Sequence, residues 1–192
     1  MNSIAEFTAA VTLGVALAAC AGLRAWLPLF MAGAMSRAGW FELGSSFEFV
    51  GSDQALVLFG LATVLEIGAD KVPALDNLLD GISTVARPAA GTLLAATTLG
   101  TVTDPLAAWV LGAVVGAPSA LVPHAAKTGV RLASTVFTAG LANPVVSVLE
   151  DVASVVLFVL ALVVPAVVCL LLAAACFYLV RSFLRRREAP AT

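Results

Sequence analysis

From Val152 to Val180 the chain reads VASVVLFVLALVVPAVVCLLLAAACFYLV, without one charged side chain. As a helix, such a run is apolar around its whole circumference, and only hydrocarbon or a deep protein interior can receive that surface. Roughly 20 apolar residues carry a helix across a bilayer. The stretch is too long for one ordinary crossing, and Pro165 offers a place to divide it. Two spans are therefore expected, one over about 144–164 and one from Pro165 to the basic ending RSFLRRR.

The rest of the chain has the same character. It is 61% hydrophobic and 11% charged over 192 residues, with a mean hydropathy of +1.05. Soluble domains are about 45–50% apolar and about 25% charged, which excludes that class. SIAE at Ser3–Glu6 reads as a capping box and opens a long first span to about Arg37, interrupted by Arg24 and kinked at Pro28. LAAC at Leu17–Cys20 imitates a lipoprotein cleavage box, but residues 1–19 lack the basic start of such a leader, so a retained span is expected. Residues 38–52 read as a loop, and span two runs from Asp53 to Asp70.

Over 74–87 the apolar residues Leu75, Leu78, Leu79, Ile82 and Val85 alternate at helical spacing with Asp76, Asn77, Asp80 and Arg87. That pattern predicts an amphipathic helix lying at the membrane interface. Arg87 and Pro88 then open span three, to about 103. Asp104 with Pro105, and Asn143 with Pro144, each read as a cap followed by proline at the first helical position. They start spans four and five. The expected architecture is all-α: a polytopic membrane protein of about six transmembrane helices plus the interfacial helix. It forms a single transmembrane domain over 1–187 with a short tail at 188–192.

Arg181, Arg185, Arg186 and Arg187 place the C-terminus in the cytoplasm by the positive-inside bias. An even number of spans then puts the N-terminus there too, in the plasma membrane. Lys71, Arg87, Lys127 and Arg131 agree with that side, and Glu42, Glu48, Asp53 and Asp104 fall on the other. Weak matches relate the two halves. RAWLPLF pairs with SALVPHA, and RPAAGTLLAA with VPAVVCLLLAA, which admits a 3+3 inverted repeat over 3–103 and 104–187.

The scarce charges gather on three helix faces. Glu66 and Asp70 are four apart; His124, Lys127 and Arg131 share one face; Ser147, Glu150, Asp151 and Ser154 form a polar stripe. All three lie at the same expected membrane level. A charge facing lipid at mid-helix costs about 2.5–3.5 kcal/mol, so the faces are expected to turn inward into a hydrated, cytoplasm-facing pocket. There Glu66, Asp70, Glu150 and Asp151 would bind a cation or proton, with His124, Lys127 and Arg131 balancing charge. The competing reading makes these residues ion pairs that fix helix packing. Arg24 is either paired to a carboxylate or bonded to carbonyls freed by a kink.

The cysteines Cys20, Cys169 and Cys176 lie in apolar runs and read as buried free thiols. No metal-ligand spacing occurs and no cofactor is expected. A net charge of −2 argues against a nucleic-acid partner. The expected partners are the lipid bilayer, a small ion or solute, and a second copy of the chain.

The segments EIGADKVPALD, ARPAAG and STVFTAGLANPVVSVLED resemble a family of small multi-span membrane proteins of bacteria and plants, catalogued as a domain of unknown function. The resemblance covers about residues 8–180 and implies the polytopic fold without an activity. Arg24 stands where that family leads one to expect a small polar residue such as asparagine. The leading functional expectation is a transporter or channel-like protein for a small polar or ionic solute. The alternative is a structural or assembly protein holding partner proteins or lipids, with Gly112 and Gly116 supporting close helix contacts. An intramembrane enzyme acting on a lipid headgroup would find carboxylates and a histidine here, but no nucleophile motif.

Overall fold

The computed structural model describes residues 2–71 and 73–188, with side chains for 3–71 and 82–185. Among them every regular element is helical. Helices α1 (Asn2–Ala21) and α2 (Trp26–Arg37) are followed by a 3-10 turn at Ser45–Gly51 and by α3 (Asp53–Ala69) and α4 (Pro73–Leu99). Then come α5 (Pro105–Leu111), a π-helical segment at Gly112–Gly116, α6 (Ala117–Thr138), α7 (Asn143–Val163) and α8 (Pro165–Glu188). Four helical stretches among the described residues are long and apolar enough to cross a membrane: Ser3–Ala21, Pro105–Thr138, Asn143–Val163 and Pro165–Arg185. The 3-10 turn with α3, bent by 56°, adds a fifth.

Local sequence explains most boundaries. Asp104 accepts a hydrogen bond from the Ala107 amide (3.0 Å) ahead of Pro105, and Ser52 caps α3 by accepting from Ala55 (3.2 Å). The α6–α7 turn uses Ala139 and Gly140 at φ 52° and 84°, a left-handed exit for which glycine carries no steric penalty. The apolar run divides where expected, at Val164 before Pro165.

Several expectations are corrected. The first apolar stretch does not kink at Pro28; it breaks at Gly22–Ala25, and Pro28 is the third residue of α2. Amides of a first helical turn have no intrahelical partner, so proline is tolerated there. Asn143 is already helical and Ala142 occupies the cap position, so the Asn143–Pro144 cap is not formed; the Asn143 side chain donates instead to Thr135 Oγ1 (3.2 Å). Ser3 likewise lies inside α1. Arg87 and Pro88 do not open a span, because α4 runs unbroken through both. The interfacial helix and the third span are thus one rod. The acidic face expected at Asp76 and Asp80 lies outside the described side chains, and residues 189–192 lie outside the described residues. Of the thiols, Cys20 is buried but Cys176 is exposed.

Chain direction also departs from the expectation. Ala5, Thr8 and Thr12 of α1 line one cavity with Val163–Ala166, whereas Ala19 and Leu23 line another with Leu171 and Ala175. Thus α1 and α8 run parallel, and the start of α1 and the end of α8 lie at opposite ends of the bundle. Separating α1 from α2 supplies the extra reversal. The halves also differ in plan. Residues 3–103 hold four α-helices and a 3-10 turn, while 104–187 hold α5–π–α6 as one rod, then α7 and α8. Pro28 and Pro123, matched in sequence, sit in a first turn and inside a helix, so the matches do not carry a common local structure.

At the centre, α4 buries Leu94, Ala95, Ala96 and Leu99 completely. It packs on the π segment with almost no side chain between. A Cβ on Gly116 would come within 2.3 Å of the Gly91 carbonyl oxygen, and one on Gly112 within 2.7 Å of that of Thr92. Gly112 and Gly116 are therefore spent on internal packing and do not present a face to a partner.

Candidate functional site: a buried charge cluster

The break between α1 and α2 creates the site. At the end of α1 carbonyls lose their intrahelical donors, and at the start of α2 amides lose their acceptors. The Leu23 carbonyl accepts from Lys127 Nζ (3.4 Å). The Ala25 and Trp26 amides donate to Glu66 Oε1 (3.0 Å) and Oε2 (3.3 Å). A cation at a helix C-terminus and an anion at a helix N-terminus are the pairings that the helix dipole favours. Here both come from other helices, α6 and α3.

Around this break the cluster closes. Arg24, wholly buried, pairs with Asp70, approaches Asp151 Oδ1 at 2.6 Å and donates to Ser147 Oγ at 3.0 Å. Asp70 Oδ2 also accepts from Lys127 (3.3 Å) and Arg131 (2.8 Å). Lys127 lies 2.9 Å from Glu150 Oε2, and Arg131 donates to both Glu150 oxygens at 3.2 and 3.1 Å. Arg87 lies 3.7 Å from Glu66 and contacts His124 Nδ1. At the rim, Lys71 lies 3.8 Å from Asp151, the most exposed carboxylate of the group at 21%.

The seven residues singled out from sequence, Glu66, Asp70, His124, Lys127, Arg131, Glu150 and Asp151, all enter this network, but Glu66, Asp70, Lys127, Arg131 and Glu150 are buried in ion pairs and do not line the expected hydrated pocket. Two further residues join it. Arg87, which the sequence marks as a helix break, buries its guanidinium among the charges. Of the two partners open to Arg24, it takes the carboxylates, and Lys127 takes the freed carbonyl. A lone arginine in an apolar run was the available signal.

Four buried cations, Arg24, Arg87, Lys127 and Arg131, face four carboxylates, Glu66, Asp70, Glu150 and Asp151, so the buried part of the cluster is formally balanced, and Lys71 at the exposed rim adds a fifth cation 3.8 Å from Asp151. The balance limits the penalty of holding charge at low dielectric. It does not exhaust the hydrogen-bonding capacity: Arg24 Nε, Arg87 Nε and Ser154 Oγ are buried without a hydrogen-bond partner among the described residues. Chemically, the arrangement can exchange ion-pair partners, because each of Asp70 and Glu150 is shared by more than one cation.

Residues 11–185 match the family model described as Domain of unknown function (DUF4126). The chain belongs to that family. No curated protein and no solved structure matches it. The DUF4126 match spans every residue of the cluster, so the cluster is part of the family domain and not of an appended segment.

Proposed function

We propose that this DUF4126 protein is a transporter or channel-like protein for a small ion or polar solute, and that the buried cluster is its gate. One observation carries the reading: Asp70 Oδ2 is shared by Arg24, Lys127 and Arg131, while Lys127 and Arg131 also hold Glu150. Ion pairs buried only for stability gain little, since apolar residues of similar volume do as well or better. Pairs with alternative partners can rearrange at low cost when an ion or proton enters. Asp151 and Lys71, at the exposed edge, are the entry.

Arg181 and Arg185 of α8 sit at the cluster's end of the bundle, and the positive-inside bias turns that end to the cytoplasm of the plasma membrane. The N-terminus then lies on the far side. The reading assigns no catalytic step. The test is flux of protons, Na⁺, K⁺ and Cl⁻ into proteoliposomes of the full chain, with Glu150→Gln and Asp151→Asn beside the wild type. Flux that falls in both variants supports the gate; flux absent from the wild type, or indifferent to both changes, refutes it.

A second reading has its own support. Arg24 and Arg87 are almost wholly buried and tie α1–α2, α3, α4 and α7 together, as a structural or assembly protein would need. Wild-type vesicles without flux, together with a stable stoichiometric partner in mild detergent, would favour it.

A further inference from the structure

Beside the cluster lies a cavity of about 460 Å³ between α1, α6, α7 and α8. Its wall follows one face of α7 from Val146 to Leu157 and one face of α8 from Val168 to Ala175, about 16 and 10 Å at 1.5 Å per residue. The cavity is therefore a slot along the helices, and its volume spread over that length leaves a mean cross-section of about 30–45 Å². A helix with its side chains is about 10–12 Å across, a section of about 80–110 Å², so none fits. Val130, Leu149 and Leu171 line the slot and are 56%, 63% and 51% exposed, each on a different helix. All three helices have the length and composition to cross a membrane, so the slot opens sideways into hydrocarbon.

We infer that this slot binds one acyl chain of a membrane phospholipid, which enters through the rim and lies along α7, whatever its head group. The interior chemistry selects hydrocarbon. Lys127 and Glu150 are the only charged residues on the wall, and their charged ends are committed elsewhere. Lys127 Nζ is held by the Leu23 carbonyl, Asp70 and Glu150, and the Glu150 oxygens by Arg131 and Lys127. What these two residues offer the slot is their methylene stems. A water needs two to four polar partners and finds none free there. An empty slot would cost its lining atoms their dispersion contacts, which a chain of methylenes restores. The bound chain covers the stems of Lys127 and Glu150 and so closes the lipid side of the cluster. The site stands or falls independently of the gate, because its test reads lipid contact and not flux.

The experiment reconstitutes the full chain in phosphatidylcholine vesicles that contain a trace of phosphatidylcholine with a photoreactive diazirine in one acyl chain. After irradiation the adducts are mapped by peptide mass spectrometry. They are expected on Val168, 2% exposed, and on Leu157 inside the slot, as well as on Val152 and Val159, which face outward on α7. Ala126→Phe and Ala153→Phe fill the slot from α6 and α7 and should lower the inner adducts at least tenfold while leaving the outer ones unchanged. Phosphatidylethanolamine and phosphatidylglycerol carrying the same chain should label the slot equally. Outer adducts without inner ones, as when side chains of a second copy or of another protein occupy the slot, overturn the inference. So do inner adducts unaffected by both filling variants, or a tenfold preference for one head group. The wild-type pattern decides the matter even where a filled variant fails to fold.

Discussion

Replacing Arg24 by methionine keeps most of the side-chain volume and removes one charge from the middle of the cluster. The two carboxylates it serves are left in different positions. Asp70 retains Lys127 at 3.3 Å and Arg131 at 2.8 Å, whereas among the described residues Asp151 retains Lys71 alone, at 3.8 Å, a partner that is itself 43% exposed. Removing one partner of a buried ion pair costs about 3–5 kcal/mol, because the other charge stays behind. For a chain of this size 1 kcal/mol corresponds to about 2–4 °C in Tm, so the variant should unfold about 6–20 °C lower. Adding Asp151→Asn removes the stranded charge and should recover more than half of that loss. Cys20, wholly buried four residues before Arg24, supplies the readout. In a Cys169→Ser, Cys176→Ser background, a thiol-reactive fluorophore reports exposure of Cys20 as the detergent-solubilised protein is heated. A single variant within about 2 °C of the parent, or a double variant no better than the single, would refute the assignment of Arg24 as the hub.

Gly116→Ala forces a Cβ to within 2.3 Å of the Gly91 carbonyl oxygen; overpacking of this kind costs about 1–3 kcal/mol, readable in the same thermal assay. Gly68→Ala and Gly129→Ala meet open space on their helices and should raise stability by up to about 1 kcal/mol. Glu66→Gln keeps the side-chain shape but leaves one oxygen to accept from only one of the Ala25 and Trp26 amides, and it removes the charge and the Arg87 partner, so a loss of about 1–2 kcal/mol is expected. Single cysteines placed near the two termini should react with a membrane-impermeant maleimide from opposite sides of sealed vesicles; labelling of both from one side would contradict the parallel course of α1 and α8.

The three charged faces were legible because helical spacing is a local property. Glu66 with Asp70, the face of His124, Lys127 and Arg131, and the stripe from Ser147 to Ser154 follow from positions along the chain alone. So did the division at Pro165, since a proline removes one helix hydrogen bond and favours a break just before it. The break in the first apolar stretch was misplaced because Gly22 is an inconspicuous signal beside Pro28. What settles the break is Glu66, a residue far along the chain that accepts from the Ala25 and Trp26 amides. The unbroken α4 was hidden for a related reason: a proline reads as a boundary unless neighbouring elements hold the helix together around it.

By itself, then, the sequence determined that this chain carries helices apolar enough to cross a bilayer, that the last apolar run divides at Pro165, and which faces carry charge. Those are consequences of apolar area, length and period. The tertiary structure alone decided which charges meet, that Arg24 joins Asp70 to Asp151 while Lys127 takes the Leu23 carbonyl, that α1 and α8 run parallel, and that an apolar cavity opens among α1, α6, α7 and α8. Coulomb pairing and close packing depend on distances between residues remote in sequence, and those distances exist only once the helices have packed.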